Sequence, residues 1–130
     1  MLNNTIVLLN RLKISCKNKN NYVVVPNVCL NRELLKALYR KGFISSFNLI
    51  ENRKSFAVSL KMGFSQILFD KLNIISVSSR PVFLTIEDLR KKYRPYDFFI
   101  VSTSKGVFIG DEVFFHNLGG ELLCDNYNYK

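Results

Sequence analysis

Asp97-Phe98-Phe99-Ile100-Val101-Ser102-Thr103-Ser104-Lys105-Gly106-Val107-Phe108-Ile109 decides the fold class of this chain. Its aromatic and β-branched residues form two strand-like runs, Asp97 to Val101 and Lys105 to Ile109. Three adjacent hydroxyls lie between them, with a turn or bend at Gly106. A second glycine turn, Leu118-Gly119-Gly120-Glu121, leads into a last apolar strand, Glu121 to Cys124. Hydroxyls and backbone amides gathered in this way can bind phosphate, sugar or base edges. They make a poor catalytic apparatus, because no histidine or carboxylate base is obliged to sit beside them.

Working outward from these two strands, Asp111 to Asn117 reads as a short helix. Thr85-Ile86-Glu87-Asp88 has the form of a helix start, with Thr85 as cap and acidic residues in the first turn. That helix must end before Pro95. Ile67-Leu68-Phe69 and Ile74-Ile75-Ser76-Val77 read as one strand or two broken ones, and residues 78–81 as a turn. In the first half, Thr5 to Lys13 carries apolar Ile6, Leu9 and Leu12 at helical spacing, with Asn4 or Thr5 as N-cap. Tyr22 to Val25 is a β-branched strand stopped by Pro26. Asn31 is the expected cap of a helix through Leu34, Leu35, Leu38 and Tyr39, closed by Gly42. Phe43 to Ile50 and Ser55 to Met62 predict two strands joined by a polar turn. The expected fold is α+β in two small units. Residues 1–65 form an α-β-α-β-β domain; residues 66–130 form a mostly antiparallel sheet with one or two short helices.

The 130 residues carry a formal charge of +9, which favours a polyanionic partner. Residues 1–60 hold ten Lys/Arg against two acids, residues 61–95 seven against three, and residues 96–130 two against five. The hydroxyl and glycine motifs therefore lie in the only acidic third. Electrostatic attraction belongs to the first half, and recognition of shape and hydrogen-bonding groups to the last. On the second helix Arg32, Lys36 and Arg40 follow i, i+4, i+8 and line one face, spaced to meet successive phosphates. No apolar run of ~18 uncharged residues exists to cross a membrane, and no signal-peptide pattern opens the chain. Cys16, Cys29 and Cys124 are odd in number and widely spaced, so neither a disulfide framework nor a zinc site is expected. Fourteen Asn, twelve Lys and eleven Phe point to an AT-rich coding sequence, as in an organelle.

Ser102 and Lys105 have formal S-x-x-K spacing, but a strand precedes them, a glycine follows, and the partner motifs of the acyl-transfer enzymes are missing. A hydrolase using Ser102 or Ser104 is the reading from a different class. His116, the only histidine, reads as a packed or surface side chain. Asp111 and Glu112 read as a solvated turn or helix start rather than a metal site. Gly119-Gly120 implies positive φ or close backbone approach, either to another strand or to a sugar-phosphate chain.

VSTSKG at 101–106, LGGE at 118–121 and the apolar-Cys ending Leu122-Leu123-Cys124 closely resemble the C-terminal signature of the universal small-subunit ribosomal protein number eight family. The spacing between the motifs fits as well. Val25-Pro26, the helix Glu33 to Tyr39, Lys41-Gly42-Phe43-Ile44 and Ser79-Arg80-Pro81 look like its earlier passages. The resemblance implies two small α/β domains, no cofactor, no metal, no catalytic residue and no small-molecule substrate. It implies binding to a central-domain helix of small-subunit ribosomal RNA, beside neighbouring ribosomal proteins, early in assembly. By resemblance Ser102, Thr103, Ser104 and Lys105, with Gly119, Gly120 and Glu121, contact an irregular part of that helix. Arg80 in the S-R-P turn and Arg11, Arg32 and Lys36 of the basic half complete the expected RNA-binding set. The chain departs from the family's pattern at Val82, is about three residues short between Arg80 and Glu87, and lacks arginine in its short last helix. With the composition, these departures imply a divergent ribosome in the mitochondrial matrix; a plastid or the cytoplasm of an AT-rich organism is the alternative. The runner-up function is a small non-ribosomal RNA-binding module, such as a regulator of a message.

Overall fold

A computed structural model describes residues 2–18, 21–50, 54–60, 69, 71–76 and 79–126. The order is α1 (Leu2–Lys17), β1 (Tyr22–Pro26), α2 (Cys29–Arg40), β2 (Ile44–Leu49), β3 (Ser55–Leu60), β4 (Asn73–Ile74), β5 (Phe83–Leu84), α3 (Ile86–Lys92), β6 (Phe99–Thr103), β7 (Gly106–Ile109), α4 (Asp111–His116) and β8 (Gly120–Asp125). The first sheet has the antiparallel order β1-β3-β2. The second runs β4-β8-β6-β7, with β5 also pairing β8, and every pairing is antiparallel. The fold is α+β, as expected. The boundary expected between residues 65 and 66 lies outside the described residues.

The first unit follows from its apolar spacing. Thr5, Leu8, Leu9, Leu12 and Cys16 are all buried, at i, i+3, i+4, i+7 and i+11, so α1 packs one continuous face and runs longer at both ends than expected. Thr5 is therefore not a cap: it lies inside the helix on the buried face. Asn31 is not a cap either. The helix begins two residues earlier, after Val28, and the buried Asn31 side chain donates from Nδ2 to the Pro26 carbonyl at 3.1 Å. This ties α2 back to the end of β1, which runs through Pro26, paired with Ser55, rather than stopping at Val25. The stop at Gly42 is as expected. Gly42 has φ 82, its N–H bonds to the Tyr39 carbonyl at 3.0 Å, and the Phe43 N–H bonds to the Leu38 carbonyl at 2.9 Å. This is the paired bonding of a glycine-terminated helix.

The second unit begins, among the described residues, with Phe69, which is helical rather than extended, and with Ile74 in β4; residues 67, 68 and 77 lie outside them. Thr85 caps α3, accepting from the Asp88 N–H at 3.2 Å, and α3 ends before Pro95. The β6 strand starts at Phe99, not Asp97. Asp97 closes a turn instead: its N–H bonds to the Arg94 carbonyl at 3.0 Å and its carboxylate accepts from the Arg94 N–H at 2.9 Å. At the other end β6 continues through Ser102 and Thr103, because both find backbone partners in β7.

The two faces of the second sheet bury different side chains. Ile100, Val107, Ile109 and Leu123 join the core of α1, α2 and the first sheet. Phe99, Val101, Phe108 and Leu122 pack under α3 and α4 with Leu89, Tyr93 and Val113. One hydrophobic core thus runs from α1 into the second sheet.

Candidate nucleic-acid interface

Ser104 and Lys105 form the two-residue loop of the β6–β7 hairpin, with Thr103 opposite Gly106. Gly106 adopts φ 130, a conformation that disfavours side chains, although a Cβ there would meet nothing within 4 Å. Its glycine is set by backbone conformation, not by crowding. The Thr103 hydroxyl holds the loop: it donates to the Gly106 carbonyl at 2.8 Å and accepts from the Lys105 N–H at 3.2 Å. Ser104 and Lys105 are exposed, and Ser102 and Thr103 are half-buried. Ser102 and Lys105 straddle a hairpin, not a helical turn, so the S-x-x-K spacing does not stack their side chains.

The two motifs meet through β8. Glu121 stands directly opposite Ser102 on β6, and on its other side opposite Phe83 on β5. Directly opposed residues of antiparallel strands project from the same face. Phe83, Glu121 and Ser102 therefore form one row across three strands. Glu121 is half-buried, and its Oε2 is shielded from solvent with no hydrogen-bond partner among the described residues. A buried, unpaired carboxylate oxygen is costly.

Gly119 and Gly120 allow the row to close. Neither has positive φ. A Cβ on Gly120 would collide with the Ser102 carbonyl, and one on Gly119 with the Leu84 carbonyl and the Thr85–Ile86 backbone. The close approach is to neighbouring strands and the start of α3, which is the structural alternative the sequence left open.

The basic residues lie on several elements. Arg11 is exposed on α1 and donates to the Val24 carbonyl of β1. Arg32 and Lys36 are exposed on α2, with Lys36 3.7 Å from Glu33. Arg80 is exposed ahead of β5. Arg40 departs from the stripe expected to face phosphates. Its Nε donates to Glu112 Oε2 at 2.6 Å and its Nη2 to Oε1 at 3.0 Å, a two-pronged pair that joins α2 to α4. Lys41 pairs with Asp111 beside it. The Asp111 carboxyl is held below its usual range by the Lys41 hydrogen bond. Burial pushes the Glu112 carboxyl up, but the hydrogen bond and charge of Arg40 outweigh it and hold it low. Asp111 and Glu112 open α4, the helix start expected of them, and in addition pair with two of the chain's own cations. Sequence reading missed both pairs, because i, i+4 spacing reports which face of a helix a residue shares, not what folds against it. It also missed β5, which is only two residues long.

Arg90 stacks over the Phe114 ring at 5.7 Å and donates to the Asn117 side chain at 2.8 Å, so part of the third basic cluster also serves the fold. His116 is exposed and stacks on Phe108 with centroids 4.2 Å apart, a surface side chain resting on a ring. Cys16, Cys29 and Cys124 are not joined in a disulfide. Burial pushes the Cys124 thiol far up, so it stays protonated and inert. No described helix is long and apolar enough to cross a membrane.

Fold and site define a basic α+β protein whose second sheet presents a hydroxyl and carboxylate edge for hydrogen bonding. The sequence matches the family model of Ribosomal protein S8 over residues 5–127, and the chain belongs to that family. It is 30% identical to small ribosomal subunit protein uS8 of Orientia tsutsugamushi (strain Boryong) over 121 residues, 90% of this chain and 91% of the relative. It is 30% identical to uS8c of Cyanidium caldarium over 130 aligned positions, 95% and 98% of the two chains. It is 34% identical to uS8 of Azobacteroides pseudotrichonymphae over 125, 92% and 94%.

Proposed function

We propose that this chain is a structural constituent of the small ribosomal subunit that binds a central-domain helix of small-subunit ribosomal RNA and supports its assembly beside neighbouring ribosomal proteins. The family is structural, and the chain is not an enzyme; Ser102 and Ser104 have a binding role, not a nucleophilic one. The contact surface is Ser102, Thr103, Ser104 and Lys105 with Gly119, Gly120 and Glu121. Arg11, Arg32, Lys36 and Arg80 supply phosphate contacts. Residues 1–65 act as the charge-bearing unit and residues 66–130 as the unit that reads the RNA.

The observation that carries this reading is the register of β6 against β8, which sets Ser102 opposite Glu121 and leaves Glu121 Oε2 unpartnered among the described residues. An A-form RNA helix has a major groove too narrow for side chains, so recognition falls to 2′-hydroxyls and unstacked bases. A carboxylate accepts from either, and a serine hydroxyl both accepts and donates. The subunit belongs to an organellar ribosome, and we place it in the mitochondrial matrix. The composition and the departures from the family pattern support that location, while the relatives named above are bacterial apart from the uS8c form.

Ser102→Ala with Ser104→Ala tests the surface. Affinity for a central-domain ribosomal RNA fragment should fall by about 1–3 kcal/mol, the penalty for leaving buried RNA groups unpaired. Wild-type affinity in the double variant would remove this surface from the interface. Sedimentation of the native protein with small subunits from purified mitochondria tests both the assembly and the compartment.

A further inference from the structure

Arg90, Lys91, Lys92 and Arg94 bring four cations into five residues at the end of α3, and all four are exposed. Cations in a last turn offset the helix dipole, which accounts for Arg90, Lys91 and Lys92 on structural grounds. It does not account for Arg94, which lies beyond the helix, or for what holds these side chains. Among the described residues none of the four is in an ion pair, unlike Arg40 and Lys41. Their supports are neutral. Arg90 stacks over the Phe114 ring and donates to Asn117. Lys92 lies 5.5 Å over the Tyr93 ring, and Arg94 donates from Nη1 to the Tyr96 hydroxyl at 2.9 Å. Asp97, the only acid from residue 89 to 97, turns its carboxylate to the Arg94 backbone N–H instead. Neutral supports position a cation without cancelling its charge, so its field stays available to a polyanion. Tyr96 is 77% exposed beside them. Cations together with an open ring suit an unpaired nucleic-acid strand, whose phosphates meet the charges while a base stacks on the ring. An acidic protein segment would engage the cations alone.

We propose that the end of α3 holds an unpaired strand of ribosomal RNA, with phosphates on Lys91, Lys92 and Arg94 and a base stacked on Tyr96. This rests on the RNA-binding reading above and adds a second contact to it. The two contacts lie on opposite faces of the second sheet. Val101 and Leu122 pack under α3 and α4, so Ser102 and Glu121, next to them along β6 and β8, project from the other face. The strand on α3 is therefore a different RNA segment from the helix at Ser102 and Glu121, and the protein ties the two together.

The test uses the full-length protein, a short oligouridylate and a central-domain ribosomal RNA hairpin. Wild type saturated with the hairpin should still bind the oligonucleotide, giving a ternary complex. The triple variant Lys91→Gln/Lys92→Gln/Arg94→Gln keeps Arg90, which also serves the fold. For the oligonucleotide it should lower the slope of log affinity against log salt by about two, at about 0.7 per phosphate contact on a single strand. Its hairpin affinity and hairpin slope should stay at the wild-type values. Tyr96→Ala should weaken oligonucleotide binding roughly 5- to 150-fold at unchanged slope, the range for one base stacked on an aromatic ring, and Tyr96→Phe much less. All the substituted side chains are exposed, and a thermal melt of each variant checks that it is folded at the assay temperature. An unchanged oligonucleotide slope in the triple variant overturns the inference, and so does competition of hairpin and oligonucleotide for one site. Polyglutamate binding as tightly as the oligonucleotide, with no loss in Tyr96→Ala, overturns it in favour of an acidic protein segment. Absence of wild-type hairpin binding, with the oligonucleotide still bound through α3, overturns the earlier reading of the Ser102 surface and not this one.

Discussion

Breaking the Arg40–Glu112 pair should loosen the join between the two sheets without weakening the electrostatic attraction to RNA. Glu112 is the more buried partner, with 21% of its side chain exposed against 47% for Arg40, and both of its oxygens are engaged. An isolated surface pair contributes about 0.2–1 kcal/mol, whereas a charged hydrogen bond with a buried partner reaches about 1.5–3 kcal/mol. Half exposure of Arg40 and two-pronged geometry with a mostly buried Glu112 place this pair between those ranges, at about 1–1.5 kcal/mol. Glu112→Gln, Arg40→Met and the double variant form a double-mutant cycle, read by urea unfolding at pH 7. A coupling of ~1 kcal/mol corresponds to a fall of about 3–5 °C in melting temperature at this chain length. Raising salt to 1 M should shrink the coupling only in part, because Glu112 is shielded from the ionic atmosphere. In RNA binding, Arg40→Met should leave the salt slope unchanged, since that guanidinium is already committed to a carboxylate. Had Arg40 met a phosphate, the slope would drop by about one. A coupling near zero, or a slope reduced by one, would refute the assignment of Arg40 to α4.

Asp111 and Glu112 both have carboxyls lowered in the folded protein, from reference values of 3.8 and 4.5. Their contribution is therefore fully present above the unfolded values and lost as pH falls through the folded ones. The stability of the wild type should decline below about pH 4.5 more steeply than that of an Asp111→Asn/Glu112→Gln variant, as thermal melts at a series of pH values will show. Gly120→Ala should destabilise by more than ~2 kcal/mol, because the new methyl group overlaps the Ser102 carbonyl and both strands must shift. Its urea midpoint should fall well below that of Gly106→Ala, where the penalty is conformational only. Thr85→Ala should cost about 1 kcal/mol through loss of the cap to Asp88, and Thr85→Ser should restore most of it in the same unfolding assay.

The elements legible in the sequence are those whose partners are near in the chain. Thr85 and its acidic first turn marked α3, Gly42 marked the end of α2, and the run from Phe98 through the hydroxyls to Ile109 marked a hairpin. Each rests on local hydrogen bonding or backbone conformation, which residue type reports directly. Errors appeared where residue type suits one role and the packed chain uses the side chain for another. Asn31 has the composition of a cap, but its amide is used by the Pro26 carbonyl. Thr5 has the same composition, but its position on a buried helical face removes it from the helix end. Asp97 reads as strand only until its carboxylate finds the Arg94 N–H.

The sequence by itself determined that the chain is basic and α+β, that its hydroxyl and glycine motifs lie in the acidic third, and that VSTSKG and GGE belong together in the S8 family. Composition and local pattern fix these properties, and folding does not alter them. Only the tertiary structure decided that Ser102 and Phe83 flank Glu121, that the paired glycines admit neighbouring backbone, and that Arg40, from the stripe of α2, and Lys41, from its C-cap, meet the acids of α4. Strand register and helix packing set those distances, because both depend on which surfaces bury best against each other across the whole chain. A residue's own neighbours in sequence carry no record of that choice.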